Sequence, residues 1–467
     1  MPDSASHNIR TLYLDVMFNG TESEGYALRR RLQGCDWLIS AIERALAYCE
    51  PPKGGHLYLE RLEIDAGTVF HGRLEYELSE FVVKAILESI NGCRFSYAED
   101  ASGIPIFQNG LHKSAENHIK DVFAYFLRNG RLPWSFHLPD GAILEQVFLS
   151  WLNEAKSGNG PFAGNESLIQ LFADCSARKR LTLQFSTVFL EKLLSFFSSD
   201  WKRTMDEVLQ ALNTSTEQFP KRLFEQRLWD AAFQAVSKGV VLNPKDLVSD
   251  AWGSTPADAP GYSALKEVLE RNWPVSTEEP SAFHDNENIG RKLFPDESRD
   301  SETTEGIFIG NAGLVLLHPF LPRFFTALSV ASEDKLFKPE RAVCLLHFLA
   351  TGQAVAPEYE LVLPKILCNI PLETPVEPDC GLTAGDMDEA TSMLEAVIRH
   401  WDALRSTNPD GLRGTFLLRA GKLSERNGEW LLQVESKAFD ILFDRLPWGI
   451  SMIRLPWMRR MLWVEWQ

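Results

Sequence analysis

Phosphate chemistry would need a glycine-rich turn, and none of the spacings that build one occurs. Neither G-x-x-x-x-G-K-[ST] nor a G-x-G-x-x-G opening a helix after a strand is present. A G-x-S-x-G elbow, which would expose a serine nucleophile, is missing as well. The ten histidines are scattered, without H-E-x-x-H or a Cys/His frame at zinc spacing. His318, His347 and His400 share the last third of the chain with Cys344 and Cys368. A metal site assembled in space therefore stays open, beside the plainer reading in which each imidazole satisfies a local hydrogen bond. Cys344 and His347 lie three apart, on one face of a helical run, as a thiolate and its base would need. Flanking Val343, Leu345 and Leu346 point instead to burial, which raises a thiol's pKa and makes it inert. Acids are numerous enough for two to converge as a hydrolytic pair, but nothing singles out which two. No catalytic, cofactor-binding or metal-ligating residue is assigned on these grounds, and no cofactor is expected.

The strongest local anomaly is the tail. Trp448, Trp457, Trp463 and Trp466 stand within the last twenty residues, interleaved with Arg454, Arg459 and Arg460. Exposed aromatics alternating with arginines could stack on nucleic-acid bases. They could equally form a protein-docking face, because Trp and Arg are enriched at interface hot spots. The third reading is a terminal strand pair that packs its tryptophans into a core. Trp448, Arg454, Trp457, Arg459, Trp463 and Trp466 are the candidate partner-docking residues.

Composition narrows the classes. The chain has 467 residues, more than one compact core normally spans, so two or three domains are expected. Hydrophobic residues make up 45% and charged residues 24%, which places it with folded proteins. A formal charge of -17 argues against general nucleic-acid binding, which needs a basic face. The seven cysteines are odd in number and make no C-x-x-C, so reduced, buried thiols in a cytosolic protein are expected. The opening MPDSASHNIR lacks the apolar core of a signal peptide. No stretch approaches the roughly 18 apolar residues of a membrane span, so no membrane insertion is expected.

The elements that must position these residues follow from periodicity. Residues 1–100 read as a small α/β unit. RTLYLDVMF (10–18) alternates like a half-buried strand, and Leu28, Leu32, Ile39, Ile42 and Leu46 keep helical spacing up to Pro51 and Pro52. HLYLERLEID (56–65) is strand-like with apolar residues on both faces, as in a central strand. LSEFVVKAILESI (78–90) returns to helix. Residues 110–275 form a helical middle region, with stripes such as Ile119, Val122, Phe123, Phe126 and Phe189, Leu190, Leu193, Leu194. Residues 276–306, rich in acid, Ser and Thr, are a linker. Residues 307–467 form a C-terminal α+β domain. In it, Pro319 and Pro322 must break or kink a buried helix, and Asn427-Gly428 suits a type I′ turn in a β-hairpin over 421–434. The fold class is α+β, predominantly helical.

In the C-terminal segment the sequence becomes specific. AGLVLLHPFLPRFF, RAVCLLHFLATG, EYELVLPKILCNIPLETPV, VIRHWDALRSTNPDGLRGTFLLRAGKLSERNGEWLLQVE and FDILFDRLPWGISMIRLPWM resemble the tape measure family of extracellular contractile injection systems. IRTLYLDVMF with LERLEIDAG is similar to that family's N-terminal domain. The likeness covers about residues 9–90 and 311–466, and is weak between them. It implies a structural assembly protein that helps set inner tube length, with inner tube, hub or spike, or baseplate proteins as partners. It also implies assembly in the cytoplasm and residence in a particle that can be released, and it leaves room for homo-oligomers. It carries over no catalytic residue. The other readings are an enzyme or effector cargo of such a particle, or a generic helical scaffold.

Overall fold

The computed structural model describes residues 21–32, 36–47, 55–59, 73–95, 98–99, 105–107, 110–133, 142–157, 166–197, 199–213, 221–240, 243–253, 306–332, 334–404 and 406–466, with a few isolated positions. The fold is α+β and mostly helical, as the periodicity implies. Met1–Val122 and Phe123–Gln467 form two compact units.

In the first unit, α1 (Glu22–Leu32) and α2 (Asp36–Ala47) divide the expected single helical stretch in two. Leu38, Ile42 and Ala45 recur at helical spacing on α2 and bury against Ile86 of α3 (Leu74–Phe95). Four strands, β1 (Gly55–Leu59), β2 (Ala98–Glu99), β3 (Pro105–Phe107) and β4 (Gly110–Ser114), pair antiparallel in the order β1-β4-β3-β2. The strand expected over 10–18 lies, apart from Leu12, outside the described residues. Among the described residues β1 has one strand neighbour, β4, where apolar residues on both faces had implied a central position. Helix α4 (Ala115–Asn129) spans the division between the units.

The second unit continues with α5 (Leu144–Ser157), α6 (Glu166–Leu171), α7 (Cys175–Gln184), α8 (Thr187–Phe197), α9 (Ser199–Asn213), α10 (Lys221–Lys238) and α11 (Pro244–Gly253). Phenylalanines dominate where these helices meet. The Phe123 ring lies 4.9 Å from Phe148 and 5.8 Å from Phe185, and Phe185 stacks on Phe189 at 4.4 Å. Such edge and offset contacts add to the area that the stripes bury. The expected linker, 276–306, lies outside the described residues except for Gly306.

The C-terminal region builds a five-stranded mixed sheet from β5 (Ile307–Ile309), β6 (Gly421–Arg426), β7 (Glu429–Val434), β8 (Met452–Ile453) and β9 (Leu462–Trp466). Its order is β5-β6-β7-β9-β8. The β6–β7 hairpin turns at Asn427 and Gly428, both at positive φ (55° and 79°), as a type I′ turn demands. The last strand, β9, inserts parallel to β7 and separates it from β8.

Helices α12 (Leu321–Ala327), α13 (Pro339–Thr351), α14 (Val362–Leu367) and α15 (Ala384–His400) share one continuous apolar core with the sheet. A 3₁₀ turn over Ala312–Leu317 ends before Pro319. Pro322 breaks nothing, since it occupies the first turn of α12, where no N–H is required. Thr383 and Asp386 close a capping box at the start of α15. No helix among the described residues is long and apolar enough to cross a membrane.

The cysteines bring a correction. Cys344, on α13, and Cys380 are joined as a disulfide, against the expectation of reduced thiols. Cys344 is flanked by apolar neighbours, and sequence alone does not reveal that Cys380 folds back against it. Cys368 is free and buried, and Cys175 is free and exposed.

Candidate partner-docking face and the buried ion cluster

The tail tryptophans separate into two groups. Trp457 is 8% exposed, and its indole N–H donates to the Leu367 carbonyl at 2.8 Å. Trp448 donates to the Leu316 carbonyl at 3.1 Å and meets Phe320 edge-on. Trp466 donates to Asp440 Oδ2 at 2.9 Å, with its ring against Phe443. All three indoles thus end on atoms within the C-terminal region. Trp463 is 45% exposed, on the opposite face of β9 from buried Leu462 and Val464. Its cross-strand partners are Leu431 and exposed Met452, which makes a short apolar row across β7, β9 and β8. Arg454, just past β8, and Arg459, in the connection to β9, are exposed. Arg460 lies over the Trp430 ring at 4.5 Å and pairs with Glu425 at 3.2 Å. Trp463, Arg454 and Arg459 are therefore the candidates that face outward.

The most demanding chemistry lies in a buried ion cluster. Arg180 of α7, Glu358 and Lys365 of α14 have side chains exposed by 0%, 0% and 2%. Arg180 Nε donates to Glu358 Oε2 at 2.9 Å, and Lys365 Nζ donates to Oε1 at 2.6 Å. The remaining guanidinium nitrogens donate to the Leu127 carbonyl and, at 2.6 Å, to the Glu373 carbonyl. Lys365 also reaches the Leu372 carbonyl at 2.9 Å. Burial pushes the Lys365 ammonium pKa down, while the Glu358 carboxylate pulls it back up. Gly130, at φ +70°, leaves room for this cluster. A Cβ there would stand 2.3 Å from Glu358 Oε1.

A second buried cation closes the C-terminal region. Arg419 is fully buried, pairs with Asp440 at 2.5 Å and donates to the carbonyls of Thr415 and Glu435. Burial alone would raise the Asp440 carboxyl. Hydrogen bonds from the Lys437 N–H, Arg419 and Trp466 outweigh it and hold the pKa below the ordinary value. Sequence reasoning missed both clusters. Their signal was a charge inside an apolar run: Lys365 in VLPKIL and Arg419 in FLLRAG.

His318, His347 and His400 serve local bonds. His347, 1% exposed, meets Glu360 Oε2 at 2.8 Å through Nε2, and Thr351 Oγ1 approaches its Nδ1 at 3.4 Å. That trio has the composition of a nucleophile, base and orienting acid. The Thr351 hydroxyl, however, donates to the His347 carbonyl one turn back at 2.8 Å. His318 and His400 each place Nδ1 against a carbonyl, of Val315 and Ala396. Burial lowers the His318 pKa, partly offset by its Val315 contact. Cys368 is fully enclosed, which pushes its thiol far up. Burial, with Glu360 beside it, raises the Tyr359 phenol to about 12. Among the described residues, no group of three His, Cys, Asp or Glu could hold a metal ion.

The family profile for contractile injection system tape measure proteins matches residues 6–466. The chain belongs to that family. Among curated proteins and among solved structures, none matches it. Tape measure proteins are structural, tube-related parts of an injection particle, and this match runs through the weakly similar middle as well as both ends. In this tape measure protein, the buried polar clusters and the outward Trp463 row therefore belong to a structural component.

Proposed function

We propose that the chain acts as an assembly protein that helps set the length of the inner tube, without catalysis, through contacts with tube, hub or baseplate. The family match over residues 6–466 carries this reading. Exposed Trp463, with Arg454 and Arg459, is the proposed contact to a particle component, since a desolvated Trp beside Arg anchors interfaces well. Assembly takes place in the cytoplasm, and the protein resides within a particle that can be released from the cell.

Length argues against a literal folded ruler. A wholly helical chain would span about 700 Å at 1.5 Å per residue, and the roughly 220 residues between the two family-like blocks about 330 Å. Yet helices α5–α11 fold back on one another, and α7 is tied to Glu358 by a buried ion pair. A chain in this state acts as an adaptor, and a ruler role needs the helices to open or several copies to stack. Electron microscopy of particles from a deletion strain tests the proposal. Missing particles or irregular tube lengths are expected, and normal particles of normal length would refute it. Adding or removing helical residues between Gly110 and Gly306 separates the two modes. Proportional tube length supports the ruler, and unchanged length leaves the adaptor.

A further inference from the structure

We propose that segment 371–380 is a clasp between the helical region and the C-terminal region, latched by the Cys344–Cys380 disulfide, so that thiol reductants loosen the joint. The segment contains no helix or strand, and Pro371, Pro375 and Pro378 stiffen its backbone. Its shape is held by what it touches. Three side chains of the helical region grip it. Arg180 donates to the Glu373 carbonyl at 2.6 Å, Gln184 to the Val376 carbonyl at 2.7 Å, and Arg222 pairs with the Glu377 carboxylate at 2.5 Å. On the other side, Lys365 donates to the Leu372 carbonyl at 2.9 Å and the Ala356 N–H to the Pro378 carbonyl at 2.8 Å.

The disulfide fixes the far end of this segment to α13, with Cα atoms 6.4 Å apart, an ordinary span for such a link. It closes a chain separation of 36 residues, so it removes much of the freedom the segment would otherwise have to leave. Both sulfurs also lie beside the Glu377 carbonyl, at 3.8 and 3.4 Å, and Glu377 is the residue that pairs with Arg222. The latch and the grip thus meet at one residue.

Reduction follows from access. Cys344 Sγ is buried and Cys380 is partly exposed, so an incoming thiolate attacks Cys380 Sγ. The S–S bond breaks and a mixed disulfide forms on Cys380, while the Cys344 thiolate leaves and takes up a proton. A second thiolate attacks the mixed disulfide, releasing the Cys380 thiolate and a small-molecule disulfide. Two thiols are oxidised as the protein pair is reduced. A buried leaving thiol is a poor one, so the latch opens slowly.

The test uses the full chain and needs no particle, so it stands or falls separately from the tape measure role. After alkylation of free thiols without reductant, peptide mass analysis of air-oxidised protein is expected to recover Cys344 linked to Cys380. Recovery of both as alkylated thiols would overturn the proposal. Reduction with a phosphine is then expected to speed amide hydrogen exchange about tenfold in 371–380 and in α7, with α15 and the β6–β7 hairpin unchanged. Uniformly faster exchange, or none in the clasp, would also overturn it. Cys380→Ser should match reduced wild type without reductant. If that variant fails to fold, reduction of the wild type decides.

Discussion

The helical region 123–253 and the α+β region 307–466 both bury extensive apolar surface, but differ in what else they bury. Among the described residues, buried Asn311, His347, Glu358, Lys365, Asp386 and Arg419 belong to the C-terminal region, against Arg178, Arg180 and Thr204 in the helices. The helices are joined by interchangeable material, rings such as Phe123, Phe148, Phe185 and Phe189 on apolar stripes. The C-terminal region ties its indoles to particular carbonyls, while buried guanidiniums do so in both regions, Arg419 on Glu435 and Arg178 on Phe172. A stripe needs only the right volume, whereas a buried polar atom needs its partner in place. The stretches with family-specific text in the C-terminal region are also the stretches that carry these polar contacts.

The largest effect is expected where the two regions meet. Glu358→Leu strands Arg180 and Lys365 without their carboxylate, and should cost about 3–5 kcal/mol in urea unfolding. Replacing all three together, Arg180→Met, Glu358→Leu and Lys365→Met, should return stability close to wild type. Equal losses in the single and triple variants would break the comparison. The next contrast is between packing styles. Trp457→Phe leaves the Leu367 carbonyl without its donor and should cost about 2–3 kcal/mol. Phe148→Met, among rings, should cost roughly 1 kcal/mol.

Acid sharpens the comparison further. The Asp440 pKa is lowered in the fold, so its contribution is complete above the ordinary carboxylate range and is lost as pH falls through the folded value. Thermal midpoints should therefore fall on acidification below about pH 4, and Asp440→Asn should flatten that fall. A wild-type profile as flat as the variant's would remove Asp440 from the account. The smallest stability effect belongs to Trp463→Ser, within about 0.5 kcal/mol. Its expected consequence is loss of the chain from purified particles, read by immunoblot.

Much of this was legible beforehand. Periodicity placed the buried stripe of α8, and Asn427-Gly428 announced its hairpin, because these depend on residues within a few positions of one another. On α2 the expected stripe holds only in part: Ile42 is buried, but Ile39 is 48% exposed and Leu38 and Ala45 face the core instead. Legibility failed at long range. The indole N–H of Trp457 ends on Leu367, 90 residues away, and nothing near the tail indicates that acceptor. The same is true of Arg180 and Glu358, separated by 178 residues, and of Cys380 on Cys344.

By itself, then, the chain's order of residues determined which segments coil, where they turn and which faces are apolar. Local backbone sterics and side-chain spacing are sufficient for that. Only the tertiary structure decided which charges lose water together, which tryptophan stays outside, and that β9 slips between β7 and β8. Those outcomes depend on which distant atoms are brought within 3 Å, and desolvation makes each such pairing strongly favourable or strongly costly.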